Sequence, residues 1–314
     1  MENLIFSLNA TIPVFLLMVM GFVFRKIGWI DDLFASRMNG FVFKAALPVL
    51  LFEDLATVDF KEAWDTRFVL FCMGITLLSI VLATGISFVW KDKSIQGEFI
   101  QVTYRSSAAI LGIAFIQNIY GNAGMAPLMI IGSVPIYNVM AVVVLSVFNP
   151  QHSRLDKQTV ADSLKKILTN PIILGIAAGL LWSIIGLELP YIVDKTVSSI
   201  GALATPLGLM AMGATFDYKK AFGKAKPALL AAAIKLLGFA AVFLPLAIAM
   251  GFREQELVAI LVMLGSATTI SSYVMAKNMG HEGTLTSSVV MMTTLFSAFT
   301  VTLWLFIVKS LGLI

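Results

Sequence analysis

Ten apolar runs, each about 17–25 residues long, follow one another along the chain. Their limits are 4–24, 37–57, 67–90, 97–120, 125–148, 170–187, 194–216, 227–250, 254–279 and 285–310. A run of that length spans the hydrocarbon core of a bilayer as one α-helix. Only 13% of the 314 residues are charged, against about 25% in soluble domains. The expectation is therefore an all-α integral membrane protein with ten spans.

Gly, Pro and charge clusters separate the runs, and their charges orient the chain. The loops after spans 1, 3, 5, 7 and 9 carry fourteen Lys and Arg residues, among them Arg25, Lys26, Lys219, Lys220, Lys224 and Lys277. The opposite side carries five: Lys61, Arg67, Lys195, Arg253 and Lys309. The positive-inside rule makes the first side cytoplasmic, so both termini face outward from a multi-pass protein of the cytoplasmic membrane. The net charge of +4 belongs to these loops. No basic stripe with interleaved aromatics points to nucleic acid. The start, Met1-Glu2-Asn3, lacks the basic region of a signal peptide, so the first run is expected to be retained. The single cysteine, Cys72, lies in an apolar run and excludes an intrachain disulfide.

The chain also matches itself. At an offset of 158, Thr11, Pro13, Gly21 and Gly28 fall on Thr169, Pro171, Gly179 and Gly186. In the same register Pro48, Ala56, Thr57, Asp59 and Lys61 fall on Pro206, Ala214, Thr215, Asp217 and Lys219, and Glu98 on Glu256. One residue later, Gly121 and Gly124 fall on Gly280 and Gly283. This reads as a duplication: a first five-helix repeat over 1–148, a connecting loop over 149–169, and a second repeat over 170–314. Five spans per copy make the second copy enter the membrane from the opposite side. The loop is too short for a domain; Leu164, Ile167 and Leu168 with Lys165 and Lys166 fit one interfacial helix.

Two spans break the apolar rule. The ninth carries Ser266, Thr268, Thr269, Ser271 and Ser272 at membrane depth. Its repeat counterpart, the fourth, carries Tyr104, Arg105, Ser106 and Ser107, then Gly112, then Gln117 and Asn118. Hydroxyls and β-branched residues loosen a helix, and irregular backbone is tolerated at that depth only where protein or a polar cavity surrounds it. Small polar residues also serve helix packing, which is the plainer reading. Two interrupted helices crossing near the bilayer centre would offer free N–H groups and positive dipole ends to an anion.

The segments Ala46–Phe60 (ALPVLLFEDLATVDF), Arg105–Gly121 (RSSAAILGIAFIQNIYG), Ile270–Lys277 (ISSYVMAK) and Thr294–Thr300 (TLFSAFT) resemble the auxin efflux carrier family, which includes bacterial malate-permease-like proteins. The resemblance covers essentially the whole chain. It implies ten helices in two inverted repeats, a scaffold of spans 1, 2, 6 and 7, and a transport domain of spans 3–5 and 8–10. It also implies broken, crossing helices 4 and 9, elevator-type motion and a homodimer through the scaffold. Family members often carry proline at each break. Here Ala114 and Ser272 stand in those places, and Ser107 stands where an asparagine is common. The breaks are expected at Gly112, Ile113 and Ala114, and at Thr269–Ser272 around Ile270.

The candidate substrate contacts are Arg105, Ser106, Ser107, Gln117, Asn118, Asn138, Thr268, Thr269, Ser271 and Ser272. An arginine near the bilayer centre costs about 2.5–3.5 kcal/mol on insertion scales, so Arg105 attracts an anion, caps broken-helix carbonyls or snorkels. Lys235, mid-way along the eighth span, poses the same choice. Glu53 and Asp54 read as a loop-proximal pair or as proton-coupling groups. Asp59 and Asp217 read as caps, and Pro48 and Pro206 as kinks. The two histidines, His152 and His281, lie in loops, and His281-Glu282 lacks the second histidine a zinc site needs. No phosphate-binding loop supports ATP drive. No enzyme and no cofactor is expected. The expected function is secondary transport of a small organic anion, a mono- or dicarboxylate, with H⁺, Na⁺ or nothing coupled. An uncharged or cationic solute, or a non-transporting membrane sensor, is the alternative.

Overall fold

Helix ends in so apolar a chain fall where a polar side chain can take up the orphan backbone N–H groups. The computed structural model describes residues 2–57, 64–108, 113–121, 124–150 and 168–314. The interfacial helix expected around Leu164–Ile167, Asp59, Gly112 and His152 lie outside them. All regular structure among the described residues is helical. The Asp31 carboxylate accepts from Phe34 N (2.6 Å) and starts α2 (Asp32–Phe41), after α1 (Glu2–Lys26). Asp65 accepts from Phe68 N (3.0 Å) and starts α4 (Thr66–Ser87). Asn170 accepts from Ile172 N (2.9 Å) at the head of α8 (Pro171–Ile185). Asp217 accepts from Lys219 N and Lys220 N at the head of the short α11 (Tyr218–Gly223), so it caps as its position suggests.

Several apolar runs are not single cylinders. The second holds α2, a π-helical turn at Val42–Ala46, and α3 (Leu47–Ala56). The seventh holds α9 (Tyr191–Gly201) and α10 (Ala204–Ala214). Pro48 and Pro206 each sit in the first turn after an interruption, where a missing N–H costs nothing. The eighth run holds α12 (Ala225–Ala233), a π turn at Ile234–Gly238 and α13 (Phe239–Ala249). The fourth holds α5 (Gln96–Tyr104) and α6 (Ile113–Tyr120), and the ninth α14 (Glu254–Gly265) and α15 (Ser271–Asn278). The runs that hold a single uninterrupted helix are α1, α4, α7 (Ala126–Val147), α8 and α16 (Thr284–Ser310). Five stretches are long and apolar enough to cross a membrane: Thr66–Ser87, Ala126–Val147, Tyr191–Ala214, Ala225–Ala249 and Thr284–Ser310.

Glycine decides how the helices meet. α1 packs on α10 and α3 on α8. At the first crossing Gly21 lies against the backbone of Met210, and Gly213 against that of Met18. At the second, Gly175 lies against the backbone of Pro48 and Gly179 against that of Phe52. A Cβ at any of the four would collide with main chain. Dispersion contact at this short range holds helices together where lipid supplies no hydrophobic drive. On the other side of the molecule α4, α5 and α7 pack together, and α12, α14 and α15 pack on α16. One continuous core joins the two sides; it runs through Leu51, Tyr104, Tyr137, Met263 and Tyr273.

Candidate functional site

The two polar spans meet at their interruptions. α5 stops at Tyr104, and Arg105 takes an extended conformation (φ −74°, ψ 138°). α14 stops at Gly265, and Ser266 is likewise extended (φ −75°, ψ 167°). Ser107 N then donates to Ala267 O (2.9 Å), a main-chain bond tying one interruption to the other. Each also satisfies the other's freed carbonyls. Ser106 Oγ donates to Met263 O (2.5 Å), and Thr268 Oγ1 donates to Val102 O (2.8 Å). Thr293 on α16 accepts from Thr268 N (3.0 Å). Hydroxyls thus do the work that proline does elsewhere, which explains breaks without it.

The break in the fourth span differs from the expectation. It begins at Arg105–Ser107, upstream of the expected position, and Ile113 and Ala114 already belong to α6. In the ninth span it covers Ser266–Ile270; Ile270 is the N-cap of α15, and Ser271 and Ser272 open the helix. The expectation followed glycine and the family's proline positions. The helices end instead where carbonyls find tertiary donors.

Lys235 accounts for one end. It is fully buried at the π turn, and its ammonium donates to Leu264 O (2.6 Å), to Met263 O (3.5 Å) and to Ser106 Oγ. A cation here caps the C-terminus of α14 and answers the negative end of its dipole. Tyr137 OH also donates to Met263 O (3.3 Å). Lys235 is therefore structural and does not snorkel.

Arg105 is different. It is 1% exposed, and all its partners are neutral. Nη2 donates to Ser271 Oγ (2.6 Å) and Asn138 Oδ1 (2.7 Å), and Nη1 to Met275 Sδ (2.9 Å) and Gln101 Oε1 (3.3 Å). Its Nε has no partner among the described residues. The ion pairs among those residues join Arg25 to Asp32, and Lys220 and Lys224 to Glu282; none involves Arg105. A buried guanidinium that is oriented by four side chains and paired with no carboxylate is a fixed positive charge.

It borders a small cleft, partly open to solvent, between α3 and α10 on one side and the crossing and α7 on the other. Arg105, Ser106, Ser107, Asn138, Thr269 and Ser271 line it. Ser107, Thr268 and Thr269 also line a second small cleft, against α1, α10 and α16. The remaining candidates stand apart from the first cleft. Thr268 is committed to Val102 O. Ser272 is buried, its carbonyl accepts from Gln101 Nε2 (2.9 Å), and its hydroxyl has no partner among the described residues. Gln117 is exposed on α6, and the Asn118 side chain lies outside the described part of that helix.

Sequence reasoning missed Gln101, Met275 and Thr205. Gln101 lies one helical turn before Arg105, a spacing that could have drawn attention to it. The sequence reads Asp54 as part of a loop-proximal pair or as a proton-coupling group. Asp54 is half-buried and lines the cleft. His281, expected only in a loop, is buried there, and its Nε2 pairs with Leu145 O (2.9 Å); burial depresses its pKa. Nearby, the buried Glu98 carboxylate accepts from Gly283 N, Thr286 N and Thr286 Oγ1 (2.9, 2.9 and 2.8 Å), which fixes α5 to the head of α16.

Membrane-length helices around a cleft that holds a buried charge and interrupted backbone define a membrane transport protein. The chain belongs to the membrane transport protein family, that of the auxin efflux carriers: the model of that family matches residues 6–305. No match was found among curated proteins.

Proposed function

We propose that this protein is a secondary transporter of a small organic anion, a mono- or dicarboxylate, in the cytoplasmic membrane. The observation that carries the reading is Arg105: a buried guanidinium at the crossing, held by neutral side chains and paired with no carboxylate among the described residues. A cargo carboxylate would give it an ionic partner. Ser107, Thr269 and Ser271 add hydroxyls beside it. α15 points its N-terminus into the same place, and anions favour that end of a helix.

The architecture that goes with this reading is ten spans in two inverted repeats. The packing supports it: span 1 meets span 7 as span 6 meets span 2, with Gly21 and its repeat mate Gly179 both at helix crossings. In this reading those four spans form a scaffold and a homodimer contact, and both termini lie outside. The crossing moves against the scaffold as an elevator, carrying the cleft from one side to the other. The second reading, a cationic or neutral solute, draws on Asp54 in the cleft wall.

A thermal-shift screen of the purified protein separates them. Carboxylates are expected to raise the melting temperature of the wild type but not of Arg105→Gln, whose affinity falls about a hundredfold, the worth of one charged hydrogen bond near 3 kcal/mol. Stabilisation by cations or neutral solutes alone favours the second reading.

A further inference from the structure

Among the described residues, Asp54 is the one acidic side chain that lines the first cleft. It is half-buried on α3, facing the interruption that carries Arg105. Among the described residues it accepts no hydrogen bond and joins no ion pair. The neighbouring elements bring little compensating charge. α8, the main neighbour of α3, has no ionisable residue, and α7 has Tyr137, which lines the cleft, but no charged residue. α9 carries Asp194, half-buried, and Lys195, exposed, and the π turn before α3 carries Lys44, exposed. Glu53, adjacent in sequence, lies against Gly201 of α9 and adds negative charge. Arg105 is therefore the only cation lining the cleft among the described residues.

One guanidinium and one carboxylate leave the cleft electrically balanced. An anionic cargo that takes the guanidinium's hydrogen bonds adds a second negative charge. Like charges that share a poorly solvated site force one of them to take a proton. The cargo carboxylate has Arg105 and hydroxyl donors; Asp54 has none, so the proton goes to Asp54.

Resting on the anion reading, we propose that Asp54 takes up a proton when the cargo binds, so that anion binding by this protein is proton-linked. The proton comes from the water on the side to which the cleft is open, forms an O–H bond on the Asp54 carboxyl, and returns to water once the cargo has left α3.

Calorimetric titration of the purified full chain with malate, and separately with indole-3-acetate, tests this. Using two buffers of different ionisation enthalpy counts the protons taken up. Between about pH 6 and pH 8 both probes are fully ionised. Wild type is expected to take up close to one proton per anion and to bind up to about tenfold more tightly for each unit the pH falls. Asp54→Asn is expected to bind with no proton uptake and a flat pH profile, and Glu53→Gln to behave as wild type. Anion binding by wild type without proton uptake overturns the proposal and leaves the anion reading standing. Unchanged uptake in Asp54→Asn does the same. If no carboxylate binds wild type at any pH, both fall. The wild-type proton count decides the matter even if Asp54→Asn does not fold.

Discussion

Two buried cations, Arg105 and Lys235, lie on either side of Ser106 and do opposite things. Lys235 is used up: its ammonium faces carbonyls at the end of α14 and the Ser106 hydroxyl. Arg105 is held in place by Gln101, Asn138, Ser271 and Met275 but is not neutralised. The distinction follows from what each head group meets. A cation on carbonyls at a helix C-terminus is a cap, whereas one on neutral side-chain groups keeps its field for something else. Lys235→Met is expected to lower stability by about 1–3 kcal/mol, because Leu264 and Met263 carbonyls lose a donor in a buried place. Its check is the melting temperature in detergent without ligand. Arg105→Gln, by contrast, is expected to melt near wild type and to lose the shift that carboxylates cause. At this scale the sequence was a partial guide. Intramembrane Arg and Lys announce themselves, since they are costly there. Which of them is already satisfied depends on carbonyls more than 25 residues away, which no local pattern records.

At the scale of elements, the apolar runs show where helix will be and hide where it stops. Every run carries helix among its described residues. Yet α5 already ends at Tyr104, and Ile113 and Ala114 lie in α6, because termination at Arg105 depends on the Thr268 hydroxyl and the Ala267 carbonyl of the ninth-span interruption. The π turns at Val42–Ala46 and Ile234–Gly238 left no sign in composition either; the second puts Lys235 where its ammonium reaches α14. Gly21 and Gly179, in contrast, were legible as repeat mates, whereas Gly175 and Gly213 gave no such signal. Gly213→Leu is expected to force α1 from α10 and to cost about 3 kcal/mol, seen as early unfolding in denaturant. A third element-level contact lies in the loop ahead of α16. Lys224 and Lys220 pair with the Glu282 carboxylate, Lys224 through a hydrogen bond, and hold its pKa down to about 2. Its folded-state pKa is depressed, so its contribution is full above the ordinary carboxylate range and fades as pH falls toward 2. The melting temperature of Glu282→Gln is therefore expected to depend less on pH than that of wild type across that acid window.

For the whole molecule, the family is the point on which the residues and the comparison agree: the match over 6–305 takes in all four segments that carried the resemblance. The family fixes the class, a membrane transport protein; the cargo depends on the cleft. That cleft lies between helices that the proposed elevator would move past one another, and it contains Arg105 and Asp54 on opposite walls. With a cation on the moving side and a carboxylate on the other, the anion binds where the two walls meet only as the facing carboxylate takes a proton. The sequence could not bring Asp54 to that wall, because a carboxylate near a span end reads as a loop residue until α3 is docked.

The most direct test of the central claim, that the buried charge of Arg105 selects an anionic cargo, is uptake of radiolabelled malate and indole-3-acetate into proteoliposomes containing wild type or Arg105→Gln, with a labelled cation and a labelled sugar as controls. Saturable uptake of a carboxylate by wild type, lost in a correctly folded Arg105→Gln and absent for both controls, is the expected result. Carboxylate uptake by Arg105→Gln at the wild-type rate, or uptake of the cation or the sugar instead, would contradict it.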